Sequence, residues 1–424
     1  FLLRRALHNP QIIGHKLFWF LRSEIGTGAD KNERFASLLL PYLRRSKVHV
    51  QHLTLQSDMN HYLQNAVLEI MEASKRLGGD RLQDFARKRL DKLVNEKLLN
   101  GKSILCLGSE WQTRRLIIEK CKVMNSKQKP LWLVFENGGD TKDAKPMYAM
   151  YKAGDDLRQD QITLQLLRFM DRLWMTHKTD DGVPKPLDLR LTPYGCISTG
   201  VDMGMLEIVT ESNTTANIQK VLGSMGAFRN KSLLAWLKNK NPDELDSNGN
   251  FKKSSIVVDN FIRSCAGYCV ASYVLGLGDR HADNIMMKEN GKLFHIDFGH
   301  FLGNFKTKLG FKRERTPFVF TPEMAEVMGG EKDERYEQFQ RHCGQGFNIL
   351  RKNASSLIIM MRLMIPAGMP ELQNEADIEY LVDKLCLHKN DDDAATLMKK
   401  EIKKCLSDTY RRIDNFIHNV KTGL

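Results

Sequence analysis

Two short segments of this chain hold the residue types that move a phosphoryl group. They are Gly278-Asp279-Arg280-His281-Ala282-Asp283-Asn284 and, just beyond, His295-Ile296-Asp297-Phe298-Gly299-His300. Together they offer a carboxylate and an amide as hard oxygen ligands for a divalent cation, with two imidazoles close by. Transfer from a metal-bound nucleotide asks for that set: cations to offset phosphate charge and a base for the attacking hydroxyl. Between the segments, Asn290-Gly291 separates two short apolar runs, 284–287 and 293–297, and so predicts a tight hairpin. Such a hairpin would return Asp297 beside Asn284, where the two could hold Mg²⁺ against nucleotide phosphates.

The elements that must position these residues can be read from hydrophobic spacing. Residues 1–98 read as helices, with apolar residues three and four apart (Leu38, Leu39, Tyr42; Leu63, Val67, Ile70, Met71), and form a helical scaffold with nothing catalytic in it. From 112 to 212 short runs rich in Val, Ile, Leu and aromatics take over: 116–123, 130–136, 146–152 and 204–209. One helix, 158–175, intervenes, carrying Ile162, Leu166, Met170 and Leu173 on one stripe, so a small sheet with one helix is the simplest arrangement. Helices dominate again after 213, apart from the hairpin. The fold class expected is α+β: a helical scaffold (1–98), then a small antiparallel sheet with one helix (99–210) and a mainly helical region (211–424).

Composition narrows the setting. With 424 residues, 42% hydrophobic and 27% charged, the chain is too long for one core and ordinary for a globular protein. No apolar run nears the roughly 20 residues that span a bilayer, and Arg4, Arg5, His15 and Lys16 interrupt residues 1–25, which excludes a signal peptide there. The chain opens on Phe1 rather than a methionine, as an excised fragment would. Eight cysteines without a Cys-x-x-Cys pair suit reduced thiols and a cytoplasmic protein. The surplus of 64 Lys and Arg over 51 Asp and Glu, a formal charge of +13, points to an anionic partner, nucleic acid or an acidic membrane. Basic residues interleaved with aromatics are not found, so nucleic acid is not favoured.

Protein kinases arrange a catalytic-loop Asp, a metal-binding Asn and an Asp-Phe-Gly Asp in the same order. Here, however, Arg280-His281 follows Asp279, where His-Arg would precede it, and the sheet holds no Gly-x-Gly-x-x-Gly; the loop 124–129 has no glycine at all. Asp-Arg-His combined with Asp-Phe-Gly-His resembles the phosphoinositide 3-kinase and related-kinase superfamily, which implies a bilobal kinase-like catalytic domain with its N-lobe at 99–210 and its C-lobe at 211–424. Further segments share the resemblance: Lys127-Gln128-Lys129-Pro130-Leu131-Trp132, Lys152-Ala153-Gly154-Asp155-Asp156-Leu157-Arg158-Gln159-Asp160, Pro193-Tyr194-Gly195-Cys196-Ile197-Ser198-Thr199-Gly200 and Gly204-Met205-Leu206-Glu207-Ile208-Val209. By position, the resemblance implies that Ser126, Lys127 and Lys152 meet the ATP phosphates and that Asp156, Asp160 and Tyr194 line an inner pocket. It also implies that the backbones of Glu207 and Val209 bind adenine, and that Trp132, Leu206, Met286 and Ile296 sandwich it. Asn284 and Asp297 would hold Mg²⁺. His300 would be the base for an inositol hydroxyl, with His281 stabilising the migrating phosphoryl; the two roles could be exchanged, or shared with Asp279. His295, on the opposite strand face from Ile296, reads as a core or supporting histidine.

The stretch after His300 bears on substrate. Within the activation segment 297–318, Lys306 and Lys308 form one cationic cluster, and Lys312, Arg313 and Arg315 a second, suited to a headgroup with two phosphomonoesters. Both clusters resemble those of class I enzymes, implying 3-phosphorylation of phosphatidylinositol 4,5-bisphosphate at an anionic membrane. Recruitment to the plasma membrane, with a regulatory adaptor subunit or a small GTPase acting through regions upstream, follows from the same resemblance. Protein Ser/Thr kinase activity and a catalytically dead scaffold are the rivals; intact Lys152, Asp279, Asn284 and Asp297 argue against the second. Residues 395–421 read as a basic amphipathic helix with Met398, Ile402, Cys405, Ile413, Phe416, Ile417 and Val420 on one stripe, to lie on lipid or pack on the large lobe. The tryptophan usual near the end of that helix in class I chains is replaced by Asn415-Phe416-Ile417-His418-Asn419, and 101–115 departs from the usual start of the small lobe.

Overall fold

The computed structural model describes residues 1–26, 28–96, 103–139, 144–220, 231–304, 307–308, 311–312 and 316–407, and these divide into two units. Unit 1 holds Phe1–Gln161 and Tyr194–Thr210; unit 2 holds Ile162–Pro193 and Glu211–Leu424.

Unit 1 begins with helices α1 (Leu2–His8), α2 (His15–Glu24), α3 (Ala29–Arg45), α4 (Lys47–Ala73) and α5 (Gly79–Leu90). Its strands are β1 (Ser103–Ile104), β2 (Gln112–Leu116), β3 (Lys122–Val123), β4 (Leu131–Asn137), β5 (Met147–Ala153), β6 (Cys196–Gly200) and β7 (Met203–Glu207); α6 (Arg158–Met175), between β5 and β6 in the chain, starts in unit 1 and belongs for most of its length to unit 2. The antiparallel sheet runs β1-β2-β4-β5-β7-β6, and β3 pairs with the end of β4. Leu53, Leu63, Ala66, Val67 and Ile70 line one side of α4 at helical spacing and are buried. They share one core with Leu131, Leu133, Phe135, Ala149 and Tyr151 of the sheet. The expected boundary at 98/99 lies inside unit 1, where the helices and the sheet share this core.

The expected strand at 116–123 is broken. Ile118–Lys120 form a 3-10 turn, because Val134 O takes the Ile117 N–H and the chain must then turn before β3 can pair with β4. The region around 101–115, which departs from the resemblance, supplies β1 and β2 as an antiparallel pair, with Ser103 opposite Thr113.

Unit 2 is built around α9 (Ile256–Leu275), which is buried on nearly every face, as its continuous apolar sequence requires. The Ser255 hydroxyl caps its start by accepting the Val258 N–H at 3.4 Å, and Gly276 ends it in the left-handed region (φ 58°). Around it lie β8 (Ser212–Thr214), α7 (Thr215–Lys220), α8 (Ser232–Lys240), β9 (Ile285–Lys288), β10 (Leu293–His295), β11 (Thr307–Lys308), β12 (Phe311–Lys312), α10 (Pro322–Val327), α11 (Glu334–Lys352), α12 (Ala354–Met364), α13 (Ala376–Leu385) and α14 (Asp391–Ser407). In α14 the stripe Met398, Ile402, Cys405 is buried, so this part of the amphipathic helix packs on its own unit; residues 408–424 lie outside the described ones. No helix among the described residues is long and apolar enough to cross a membrane.

Candidate active site

The expected site residues fall into two sets, one in each unit. In unit 2 the Asn290-Gly291 turn closes as its composition demands. Lys288 N–H bonds Lys292 O at 2.8 Å, and Gly291 takes φ 90° with its Cα tight against Val257, where a Cβ would meet the carbonyl oxygen at 2.1 Å. β9 and β10 then pair Phe294 with Met286 and His295 with Ile285, and Ile296 N–H reaches Asn284 O at 3.1 Å. That register returns Asp297 to Asn284. Met286 and Ile296, expected against adenine, are half-buried in this hairpin. His295 is buried and stacked on Tyr268 (5.0 Å, 27°), a core histidine as expected.

The loops on either side are tied by Arg280. Its guanidinium donates to Gly278 O (2.7 Å), Ile296 O (2.7 Å) and Asp297 O, lies 5.4 Å over the Phe298 ring, and is only 7% exposed. Gly278 N–H in turn donates to His300 O at 3.0 Å. Phe298 is fully buried, which contributes about 1.5–3 kcal/mol and pins the next-door Asp297 at the surface. Both Asp279 (φ 53°) and Asp297 (φ 60°) sit in the left-handed region. That costs non-glycine residues about 1–2 kcal/mol each; the clamp and the buried Phe298 hold both carboxylates there.

The amide of Asn284 is fixed: Nδ2 donates to Asp279 O at 3.0 Å and approaches His281 Nε2 at 3.2 Å. Oδ1 is thus left as its acceptor. With the exposed Asp297 carboxylate this makes two hard oxygen donors, and among the described residues no group of three or more His, Cys, Asp or Glu forms a metal cage. Two donors fit Mg²⁺, which keeps waters and substrate phosphates in its shell, and not a cation needing an all-protein site. Asp279 Oδ2 lies 3.9 Å from His281 Nε2. His300 pairs Nδ1 with Glu371 Oε1 at 2.7 Å.

In unit 1, β4, β5 and β7 align Trp132, Met150 and Leu206 in one cross-strand row, so these share a face. Trp132 stacks edge-on with Tyr148 (6.3 Å) and receives Lys122 Nζ at 4.8 Å. The next row places Lys152 opposite Gly204, leaving the lysine room, and Lys152 Nζ rests 3.4 Å from Asp155. The β3–β4 loop carries exposed Ser126 and Lys127 and is tied to the Lys152 segment by Gln128 Nε2 on Gly154 O at 3.5 Å. Ile208 N–H bonds Tyr148 O, so by strand alternation Glu207 and Val209 direct their main chains to the other edge. Glu207 N–H is taken by Gly195 O at 2.7 Å. Asp160 and Tyr194 are buried. Burial alone would raise Asp156, but bidentate Arg158 (2.8–3.2 Å) brings it below the usual carboxylate range.

Comparison with known proteins decides the family. The profile of "Phosphatidylinositol 3- and 4-kinase" matches residues 146–374, and that of the "Phosphoinositide 3-kinase family, accessory domain" matches 1–55. The chain belongs to the phosphatidylinositol 3- and 4-kinase family. Phosphatidylinositol 3-kinase 2 of Dictyostelium discoideum is 43% identical over 98% of this chain and 21% of its own length. Phosphatidylinositol 3-kinase 1 of the same organism is 41% identical over 99% of this chain and 25% of its own length. The chain thus spans between a fifth and a quarter of these relatives. The antiparallel sheet and the helical unit around α9 are the two lobes of the kinase-like fold expected from the sequence.

Of the expected headgroup residues in this phosphatidylinositol kinase family member, Lys306, Arg313 and Arg315 lie outside the described residues. Lys308 and Lys312 are placed by backbone only, on β11 and β12, where Lys308 pairs with Phe311 and Thr307 with Lys312. Two functional side chains were not foreseen. Arg280 was visible as part of a motif but not as the clamp, and Glu371 carried no signal beyond an acid beside Pro370.

Proposed function

We propose that this chain is the catalytic portion of an ATP- and Mg²⁺-dependent class I lipid kinase. It would phosphorylate the 3-hydroxyl of phosphatidylinositol 4,5-bisphosphate to give the 3,4,5-trisphosphate. The observation that carries the reading is the tying of Asn284, Asp297 and His300 into one loop cluster by Arg280 and the β9–β10 hairpin. Mg²⁺, when bound, offsets charge on the nucleotide phosphates. Asn284 Oδ1 and Asp297 present its ligands, Lys152 adds a cation for the phosphates, and an imidazole accepts the inositol proton. Lys306 and Lys308, with Lys312, Arg313 and Arg315, supply cations for two phosphomonoesters. The names of the relatives support inositol-lipid chemistry; the two basic clusters support the bisphosphate.

The enzyme acts from the cytoplasm on an anionic phosphoinositide membrane at the cell surface. An adaptor subunit or small GTPase would act through parts of the full-length protein beyond this chain. The test is ATP turnover with vesicles containing each phosphoinositide in turn, beside a protein substrate. Activity on the 4,5-bisphosphate that collapses when Lys312, Arg313 and Arg315 are neutralised supports the reading. Equal use of plain phosphatidylinositol, or turnover only with the protein, sinks it.

A further inference from the structure

Two histidines flank the expected metal ligands, and their surroundings differ. His281 is enclosed within its own loop: Nδ1 lies 3.3 Å from the Asp283 N–H donor, and Nε2 faces Asn284 Nδ2 at 3.2 Å and Asp279 Oδ2 at 3.9 Å. His300 is held from outside its loop. Glu371, in the segment between α12 and α13, places Oε1 2.7 Å from His300 Nδ1, while its Oε2 accepts the Phe301 N–H at 2.6 Å. The Glu371 side chain is 14% exposed and that of His300 30%. The contact is shielded, and the imidazole keeps part of its surface exposed.

We propose that Glu371 is the positioning residue for His300, holding the proton on Nδ1 so that Nε2 accepts the proton of the attacking hydroxyl. This rests on the lipid-kinase reading and deepens it by choosing between the histidines. A carboxylate only accepts, so Nδ1 must donate to it, and in a neutral imidazole the other nitrogen then carries the lone pair. The second carboxylate oxygen is locked by Phe301 N–H, which prevents rotation and fixes the ring plane as well as the tautomer. In the step itself the hydroxyl O–H bond breaks and its proton passes to His300 Nε2. The oxygen forms a bond to the γ-phosphorus, the bond to the bridging oxygen breaks, and ADP leaves with that electron pair. Glu371 stabilises the imidazolium so formed; solvent takes the proton afterwards. The logic is that of an acid orienting a histidine base, where exchanging the carboxylate for an amide lowers turnover by about 10⁴.

The test uses the full 424-residue chain and its Glu371→Gln variant. A glutamine offers one acceptor where two donors must be met, so the tautomer should mix. Expected are a fall in kcat of about 10²–10⁴, KM values for ATP and lipid within about threefold, and an unchanged melting temperature. Long-range ¹H–¹⁵N spectra of histidine-labelled protein, assigned with His300→Gln, should show the Nδ1–H tautomer of His300 in the parent and its loss in the variant. An Nε2–H tautomer in the parent overturns the proposal whatever the variant does. So does a variant that keeps kcat within threefold, or one whose defect lies only in KM for ATP. Should the parent phosphorylate no phosphoinositide yet show the Nδ1–H tautomer, the lipid-kinase reading fails while the pairing of Glu371 with His300 stands.

Discussion

Replacing Arg280 should separate the two catalytic loops. The side chain is 7% exposed and donates to three main-chain carbonyls, at Gly278, Ile296 and Asp297. Bonds from a charged donor contribute about 1.5–3 kcal/mol each. Three independent ones would give roughly 4–9 kcal/mol, but one rigid fork makes them together, so we take the lower end, about 4 kcal/mol, for Arg280→Met. That is a large part of a typical folding stability of about 5–15 kcal/mol. Arg280→Lys is the sharper probe. An ammonium at the end of a flexible stem cannot reproduce the planar fork, so at least one carbonyl is left without its donor, a loss of about 1–3 kcal/mol. The released strand end carries Asp297 in its left-handed conformation (φ 60°), so KM for Mg-ATP should rise severalfold while that for lipid changes little. Urea unfolding followed by circular dichroism, with steady-state kinetics on the same preparations, measures both. An Arg280→Lys protein within about 0.5 kcal/mol of its parent, with unchanged KM for ATP, would refute the clamp.

Other outcomes follow from single sites. Gly291→Ala forces a Cβ to 2.1 Å from Val257 O at φ 90°; it should cost more than about 2 kcal/mol, seen as a lower melting temperature in calorimetry. Lys152→Met should lower kcat/KM by about 10²–10³ with little change in the melting temperature, since a half-exposed ion pair such as Lys152–Asp155 adds little stability; radiolabelled ATP turnover checks it. His49 is a pH marker. Burial, then the charges of His15 and His52, lower it from 6.5 to about 4, so it folds neutral. The unfolded chain binds its proton below 6.5 and the folded chain only below about 4, so stability is full above 6.5 and falls as pH drops through that window. The loss is at most about 3 kcal/mol. His49→Gln should flatten the stability–pH slope between 6.5 and 4 in urea titrations; an unchanged slope contradicts the assignment.

Much of this site was legible because it is local. Asn290-Gly291 announced a turn, period-two spacing put His295 and Ile296 on opposite faces, and the catalytic-loop and Asp-Phe-Gly segments needed only that hairpin to meet. What escaped is non-local or defies residue type. Glu371 lies 71 positions from His300, in a loop where an acid is ordinarily solvated. Arginine is seldom buried, so Arg280 read as part of a motif and not as its clasp. The 3-10 turn at Ile118–Lys120 hid inside an apolar run, which by itself does not distinguish one strand from two. The shared core of the helices and the sheet depends on pairings that no window of sequence contains.

Two helix-borne amides next to that core act as substitute strands. Gln83 exchanges both hydrogen bonds with the main chain of Val123, at 2.9 Å each, and Asn95 does the same with Leu116 at 2.8 and 3.1 Å. The outer edge of β3, and the end of β2 that β1 does not reach, are thereby closed by side chains. Exposed strand edges recruit other chains, so a protein cut after residue 96 would lose more than apolar cover: it would present two adhesive edges. The helices before the catalytic sheet are in this sense its guard against self-association, and protein made without them should come out of the cell as aggregate.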